Sequence, residues 1–143
     1  MGTVKVEQDL PVPADKVWAV LADFAGFLEW TGGTGGGRTI EITGGPGVGT
    51  TRHLNLPGIG TMAERLDKLD HASRTQVYTL VASQPIGMGS YRATVVVSER
   101  PGGCRLNWTG EYEAVPGADA AAVGKALEGS YNGMSQMLAK AAG

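Results

Sequence analysis

Cysteine is almost missing from this chain. Cys104 stands alone, so no disulfide can form within the molecule and a reducing, cytoplasmic setting is expected. Histidine is scarce too: His53 and His71 have no Cys/His/carboxylate cluster near them in sequence, and neither a metal nor another cofactor is expected. Cys104 opens a strand without a local partner, and no Ser-His-Asp set can be assembled, which argues against a hydrolase. Charge is sparse and balanced. Lys and Arg number 12 against 14 Asp and Glu, a net charge of −2 with no basic run, so nucleic acid is not an expected partner. No apolar run approaches the ~20 residues of a membrane-spanning helix, and no basic stretch leads into an apolar one near the start. These absences point to a soluble, intracellular protein.

Glycine, by contrast, is abundant at 23 of 143 residues, so loops and close backbone approaches should be frequent. The length fits one domain over residues 1–143, large enough to bury a core without staples. The densest glycine run, TGGTGGGR at 31–38, does not meet the G-x-G-x-x-G register and is not followed by Gly-Lys-Ser/Thr. It reads as a connector rather than a phosphate loop.

Periodicity supplies the elements. Residues 3–10 alternate weakly as a strand that Pro11 and Pro13 end. Val17, Trp18 and Leu21 recur at helical spacing across 14–22, and a second short helical piece covers 24–30. Residues 38–43 form another strand, and Gln76, Tyr78, Leu80 and Ala82 alternate along a later one, with Val77 and Val81 on its other face. A final hairpin turns at Arg100-Pro101-Gly102-Gly103 and sets Val97 against Leu106, Val95 against Trp108, Ala93 against Gly110 and Tyr91 against Tyr112. From about 118 to 142 the chain is helical, with Val123, Leu127, Tyr131, Met134 and Leu138 in one stripe. Gly124, Gly129 and Gly133 each cost this helix ~1 kcal/mol against Ala, which close packing on the sheet is expected to offset. A long antiparallel sheet that must cover one face with one helix curls around it, giving an α+β architecture.

The most informative stretch is 49–69, GTTRHLNLPGIGTMAERLDKL. It reads as two strands joined at Pro57-Gly58-Ile59. Pairing Leu56 with Gly60 places Leu54 opposite Met62 and Arg52 opposite Glu64. Two charges thus face each other on the apolar side of a hairpin. Either they bind or polarise a carbonyl, carboxylate or phenol, with Glu64 available for proton transfer, or they form an ion pair that satisfies itself.

The runs PVPADKVWAVLADFAGFLEW, GVGTTRHLNL, AERLDKLD and YTLVASQPIGMGSYRATVVV, followed by a tryptophan-bearing strand, resemble the START-like (SRPBCC) superfamily. Within it they resemble the polyketide cyclase/dehydrase family, whose helix-grip fold is shared with the major pollen allergens and the plant abscisic-acid receptors. The resemblance implies a seven-stranded, curved antiparallel sheet wrapped around a long C-terminal helix, with two short helices after the first strand. It also implies a largely apolar cavity between sheet and helix. Pro57, Gly58 and Ile59 match the position of the receptors' gate loop, and Pro85, Ile86, Gly87 and Met88 that of their latch. The receptors' latch sequence is lacking and the gate motif differs, so a hormone-receptor role is not implied. 

The expected ligand-binding residues are Trp30, Leu54, Met62, Leu66, Leu80, Ala93, Val95, Trp108, Gly110, Tyr112, Leu127, Tyr131 and Met134. For any single aromatic among them, core packing is the competing role. Arg52, Glu64, Tyr78 and Tyr91 are the catalytic candidates. The expected function is to bind a small hydrophobic or aromatic molecule, polyketide-, lipid- or hormone-like, as carrier or sensor, in a monomer or homodimer. The alternative is a cofactor-independent cyclase, aromatase or dehydratase. There Arg52 would orient a carbonyl, and Glu64 with the cavity tyrosines would move protons.

Overall fold

A computed structural model describes residues 2–33, 35–82 and 87–143. Strand β1 (Gly2–Leu10) leads through Pro11 and Pro13 into α1 (Ala14–Ala22); a 3-10 turn (Phe24–Gly26) and α2 (Phe27–Trp30) follow at once. Then come β2 (Thr39–Thr43), β3 (Thr51–Leu56), β4 (Gly60–Asp70), β5 (Thr75–Ala82), β6 (Met88–Arg100), β7 (Gly103–Ala114) and α3 (Ala120–Ala142). Among the described residues the strands form one seven-stranded antiparallel sheet in the order β1-β7-β6-β5-β4-β3-β2. The chain runs as a meander from β2 to β7, and β1 then lies against β7 with Leu10 beside Cys104. The sheet wraps α3, which packs on β1, β7 and α1. No described helix is long and apolar enough to cross a membrane.

Local chemistry sets the registers. In the β3–β4 turn the Ile59 N–H donates to Leu56 O at 2.9 Å, with Pro57 fixing φ at the first corner and Gly58 at φ 91° at the second. That is the residue order a type II turn demands. It pairs Leu56 with Gly60, and hence Leu54 with Met62 and Arg52 with Glu64. The β6–β7 hairpin pairs Val97 with Leu106, Val95 with Trp108, Ala93 with Gly110 and Tyr91 with Tyr112, all as expected from alternation. Along β7 every second side chain from Cys104 to Tyr112 is buried. Helix α3 starts at Ala120 because the Asp119 carboxylate caps it, accepting from the N–H groups of Ala121 and Ala122.

Three local features depart from simple patterning. Ala63 and Glu64 are both buried, although alternation puts them on opposite faces; the β4–β5 register shifts between them. Gln76 is buried on β5, where its side-chain amide donates to Leu21 O at 2.9 Å and closes the C-terminal end of α1. The helical glycines do not share one reason. A Cβ at Gly124 would lie 2.5 Å from the Tyr112 hydroxyl, so that glycine admits a close neighbour, whereas Gly129 and Gly133 have nothing within 4 Å. Close packing therefore offsets the helix cost at Gly124 alone of the three.

Candidate functional site

Between the inner face of the sheet and α3 lies a cavity of about 230 Å³. Its apolar wall comes from Phe27, Leu56, Met62, Met88, Leu127 and Met134. Arg52, Glu64, Tyr78, Tyr91 and Tyr131 supply a buried polar wall. The exposed lining residues mark the opening: Ile59 at the tip of the β3–β4 turn, and Ala126 and Ser130 on α3.

Arg52 is held by its edges and by its faces. Its Nε donates to Glu64 Oε1 at 2.9 Å, Nη2 lies 2.9 Å from the same oxygen, and Nη1 donates to Phe24 O at 3.3 Å. The guanidinium carbon lies 3.9 Å from the ring centre of Phe24, 4.4 Å from that of Phe27 and 4.9 Å from that of Tyr78. A flat, weakly hydrated cation suits such a stack, and a lysine ammonium does not. The elements that build this are the β3–β4 hairpin, which sets Arg52 beside Glu64, and the bend after α1, which brings Phe24 and Phe27 over them. Arg52 is 4% exposed and Glu64 5%. Both interactions of the carboxylate with Arg52 use one oxygen. Among the described residues nothing donates to Oε2, and that oxygen is not sealed into the protein interior.

The tyrosines form a second polar unit. The hydroxyls of Tyr91 and Tyr131 are hydrogen-bonded to each other, and Trp108 Nε1 donates to the Tyr78 hydroxyl at 3.3 Å. Trp108 stacks on Tyr131 with ring centres 5.1 Å apart, and Tyr78 meets Tyr91 edge-on at 6.2 Å. Burial, with the Glu64 charge adding to it, pushes the Tyr78 phenol up to about 12. Burial likewise drives Tyr91 well above its usual value, with the neighbouring tyrosines contributing, and raises Tyr131. Gly110 makes room for this unit, since a Cβ there would lie 2.2 Å from the Tyr131 hydroxyl.

Of the residues singled out in the sequence, Arg52, Glu64, Tyr78, Tyr91, Met62, Leu127, Tyr131, Met134, Ile59 and Met88 line this cavity. Leu54, Leu66, Ala93, Val95 and Trp108 are buried in the core outside its lining, and Leu80 is half-buried. Trp30 packs edge-on against Phe27 with ring centres 5.3 Å apart. The Tyr112 hydroxyl donates to Ala120 O at 2.8 Å and so ties β7 to the start of α3. Pro57 and Gly58 are exposed in the turn, and Gly87 is half-buried. Pro85 and Ile86 lie outside the described residues. Phe27, Leu56, Ala126 and Ser130 also line the cavity and are not among those residues. Ala126 and Ser130 each precede a member of the apolar stripe by one residue and repeat its four-residue step, a row that small or polar side chains leave without a hydrophobic signal. Phe27 stands one helical turn after Phe24, the spacing that lets both rings reach one guanidinium.

The family described as "Polyketide cyclase / dehydrase and lipid transport" matches residues 1–143. MLP-like protein 423 of Arabidopsis thaliana is 25% identical over 119 residues, which are 78% of this chain and 76% of that protein. Norcoclaurine synthase from Thalictrum flavum, in complex with dopamine and hydroxybenzaldehyde, superposes with a TM-score of 0.75 at 21% identity, over 97% of this chain and 84% of that one. The protein XoxI from Bacillus cereus does so with a TM-score of 0.79 at 22% identity, over 99% and 95%. At such identities the structural likeness establishes the fold, the helix-grip arrangement of sheet and helix described above. The chain belongs to the polyketide cyclase/dehydrase family.

Proposed function

We propose that the protein binds a small ring-bearing hydrophobic molecule in the cavity between sheet and α3, as a carrier or sensor. The observation that carries this reading is a largely apolar cavity with a few buried polar groups on one wall, the usual composition of a small-molecule site. Its size narrows the class. An apolar cavity of about 150 Å³ is enough to take up benzene. A cavity of about 230 Å³ therefore suits one substituted ring or a compact pair. A long acyl chain or a four-ring polyketide would have to extend through the opening. The complex of norcoclaurine synthase with dopamine and hydroxybenzaldehyde supports the same size class on a related fold.

The alternative, a cyclase or dehydratase, draws support from the convergence of Glu64, Tyr78, Tyr91 and Tyr131 on one cavity. The protonation chemistry favours binding. A general acid works best with a pKa near ambient pH, and Tyr78 at about 12 sits roughly five pH units above neutrality. Glu64 is held against Arg52 through one oxygen, an arrangement that anchors a ligand as readily as it serves a reaction.

Native mass spectrometry of the purified protein, followed by a thermal-shift screen of one- and two-ring aromatics, polyketides, fatty acids and quinones, tests this. A small aromatic that stabilises the fold and is recovered unchanged supports the binding reading. A ligand recovered cyclised or dehydrated would establish the enzyme reading instead.

A further inference from the structure

The polar wall of the cavity presents an acceptor for which the described residues supply no donor. Arg52 directs Nε and Nη2 at Glu64 Oε1 and Nη1 at Phe24 O, and three aromatic rings surround its guanidinium. A ligand carboxylate would meet a cation already paired with Glu64 and would have to approach the Glu64 carboxylate as well. Glu64 Oε2, in contrast, is a charged acceptor with no donor among the described residues. It asks for an N–H or O–H. This oxygen is not sealed into the interior, so a ligand that fills the cavity either brings a donor to it or leaves the charge unpaired as water is displaced.

The choice between a neutral and a cationic donor follows from the pair's net charge. Arg52 cancels Glu64 within 2.9 Å, so the wall as a whole offers no excess negative charge to offset the desolvation of an ammonium ion. A neutral hydroxyl meets no such cost. The Tyr91–Tyr131 pair on the same cavity adds a complementary feature: two hydroxyls that share one hydrogen bond keep a second O–H to give. A hydroxyl on the ligand can donate to Glu64 and accept from a tyrosine, and a phenol joins that group directly to the ring the apolar wall accommodates.

We propose that this cavity selects neutral phenols, reading the phenolic O–H through Glu64 Oε2, and rejects aromatic carboxylates. The proposal rests on the binding reading above and deepens it by naming the ligand's polar group. Four probes that share one methyl-substituted ring separate the cases: p-cresol, p-xylene, p-toluate and p-methylbenzylammonium. The methyl groups of Met62, Met88 and Met134 line the cavity and give a direct readout by methionine-methyl NMR titration of the intact protein. The expected order has p-cresol first and p-xylene, its near-isostere without a donor, roughly tenfold or more weaker, as loss of a hydrogen bond to a charged group implies. The toluate and the ammonium should leave the methionine signals unmoved. Equal affinity for p-cresol and p-xylene would overturn the proposal while leaving the cavity as an apolar site. Tighter binding of the toluate or the ammonium would overturn it and reassign the wall's polarity. If none of the four shifts a methionine signal, the binding reading falls and this one with it.

Discussion

A guanidinium surrounded by three rings and bonded to a single carboxylate has given up most of its water, and the cost of stranding it decides what substitution does. Among the described residues Glu64→Ala leaves buried Arg52 with Phe24 O alone as a hydrogen-bonding partner, and it should destabilise the fold by about 3–5 kcal/mol, read from chemical denaturation. Replacing both partners with apolar residues of similar volume, Arg52→Met with Glu64→Leu, should cost much less than the single change, because no charge is then stranded. A double variant as unstable as Glu64→Ala would show that the stack of Phe24, Phe27 and Tyr78 on the cation, rather than charge pairing, holds this wall together. The tyrosines make a separate prediction with a sign. Below pH ~10 both folded and unfolded chains keep the Tyr78 proton, and its contribution is fully present. Above that the unfolded chain ionises first, and stability falls until the folded phenol titrates at about 12. Denaturation midpoints measured from pH 9 to 12 should therefore decline, and Tyr78→Phe should make the decline shallower. A flat profile would mean that Tyr78 reaches water in the folded state.

At the level of elements the same residue type, glycine, plays opposite parts, and alanine substitution tells them apart. A methyl at Gly110 would lie 2.2 Å from the Tyr131 hydroxyl and 3.2 Å from the Tyr91 ring. Gly110→Ala should displace that pair and cost about 1–3 kcal/mol through overpacking. Gly129 and Gly133 face open space on α3, so Gly129→Ala and Gly133→Ala should each stabilise by up to ~1 kcal/mol. A destabilising result at Gly129 would point to a partner seated on that side of the helix. The element boundaries themselves were legible because each carried its own chemistry: prolines after β1, Pro57-Gly58 in the β3–β4 turn, and two-residue alternation through β6 and β7. Patterning could not show the register shift at Ala63 and Glu64, since it arises between β4 and β5 rather than within either. Nor could it place Gln76 in the core, because its partner carbonyl at Leu21 stands 55 residues away in sequence.

For the molecule as a whole, the sheet's closure around α3 leaves one question of traffic: how a ligand reaches a wall whose tyrosines and ion pair are almost fully buried. Periodicity found the inner stripe of α3 from Val123 to Leu138 but not the neighbouring row, because Ala126 and Ser130 carry no hydrophobic signal. Their small side chains are exposed while lining the cavity, opposite Ile59, which is 49% exposed on the β3–β4 turn. An opening flanked by small residues on the helix and by one apolar side chain on a turn is the expected point of entry for a ring. Its width is then set by side-chain volume at those positions. Ser130→Trp should narrow it while leaving stability within about 0.5 kcal/mol, as is usual for exposed sites away from the core. The paired readout is a thermal melt, expected to stay unchanged, and the p-cresol titration, expected to lose most of its amplitude or to slow markedly. Ala126→Trp should act in the same way from one helical turn earlier. Uptake that survives both substitutions would place the route elsewhere on the molecule, whereas loss of uptake with an intact melting transition would locate the entrance between α3 and the β3–β4 turn.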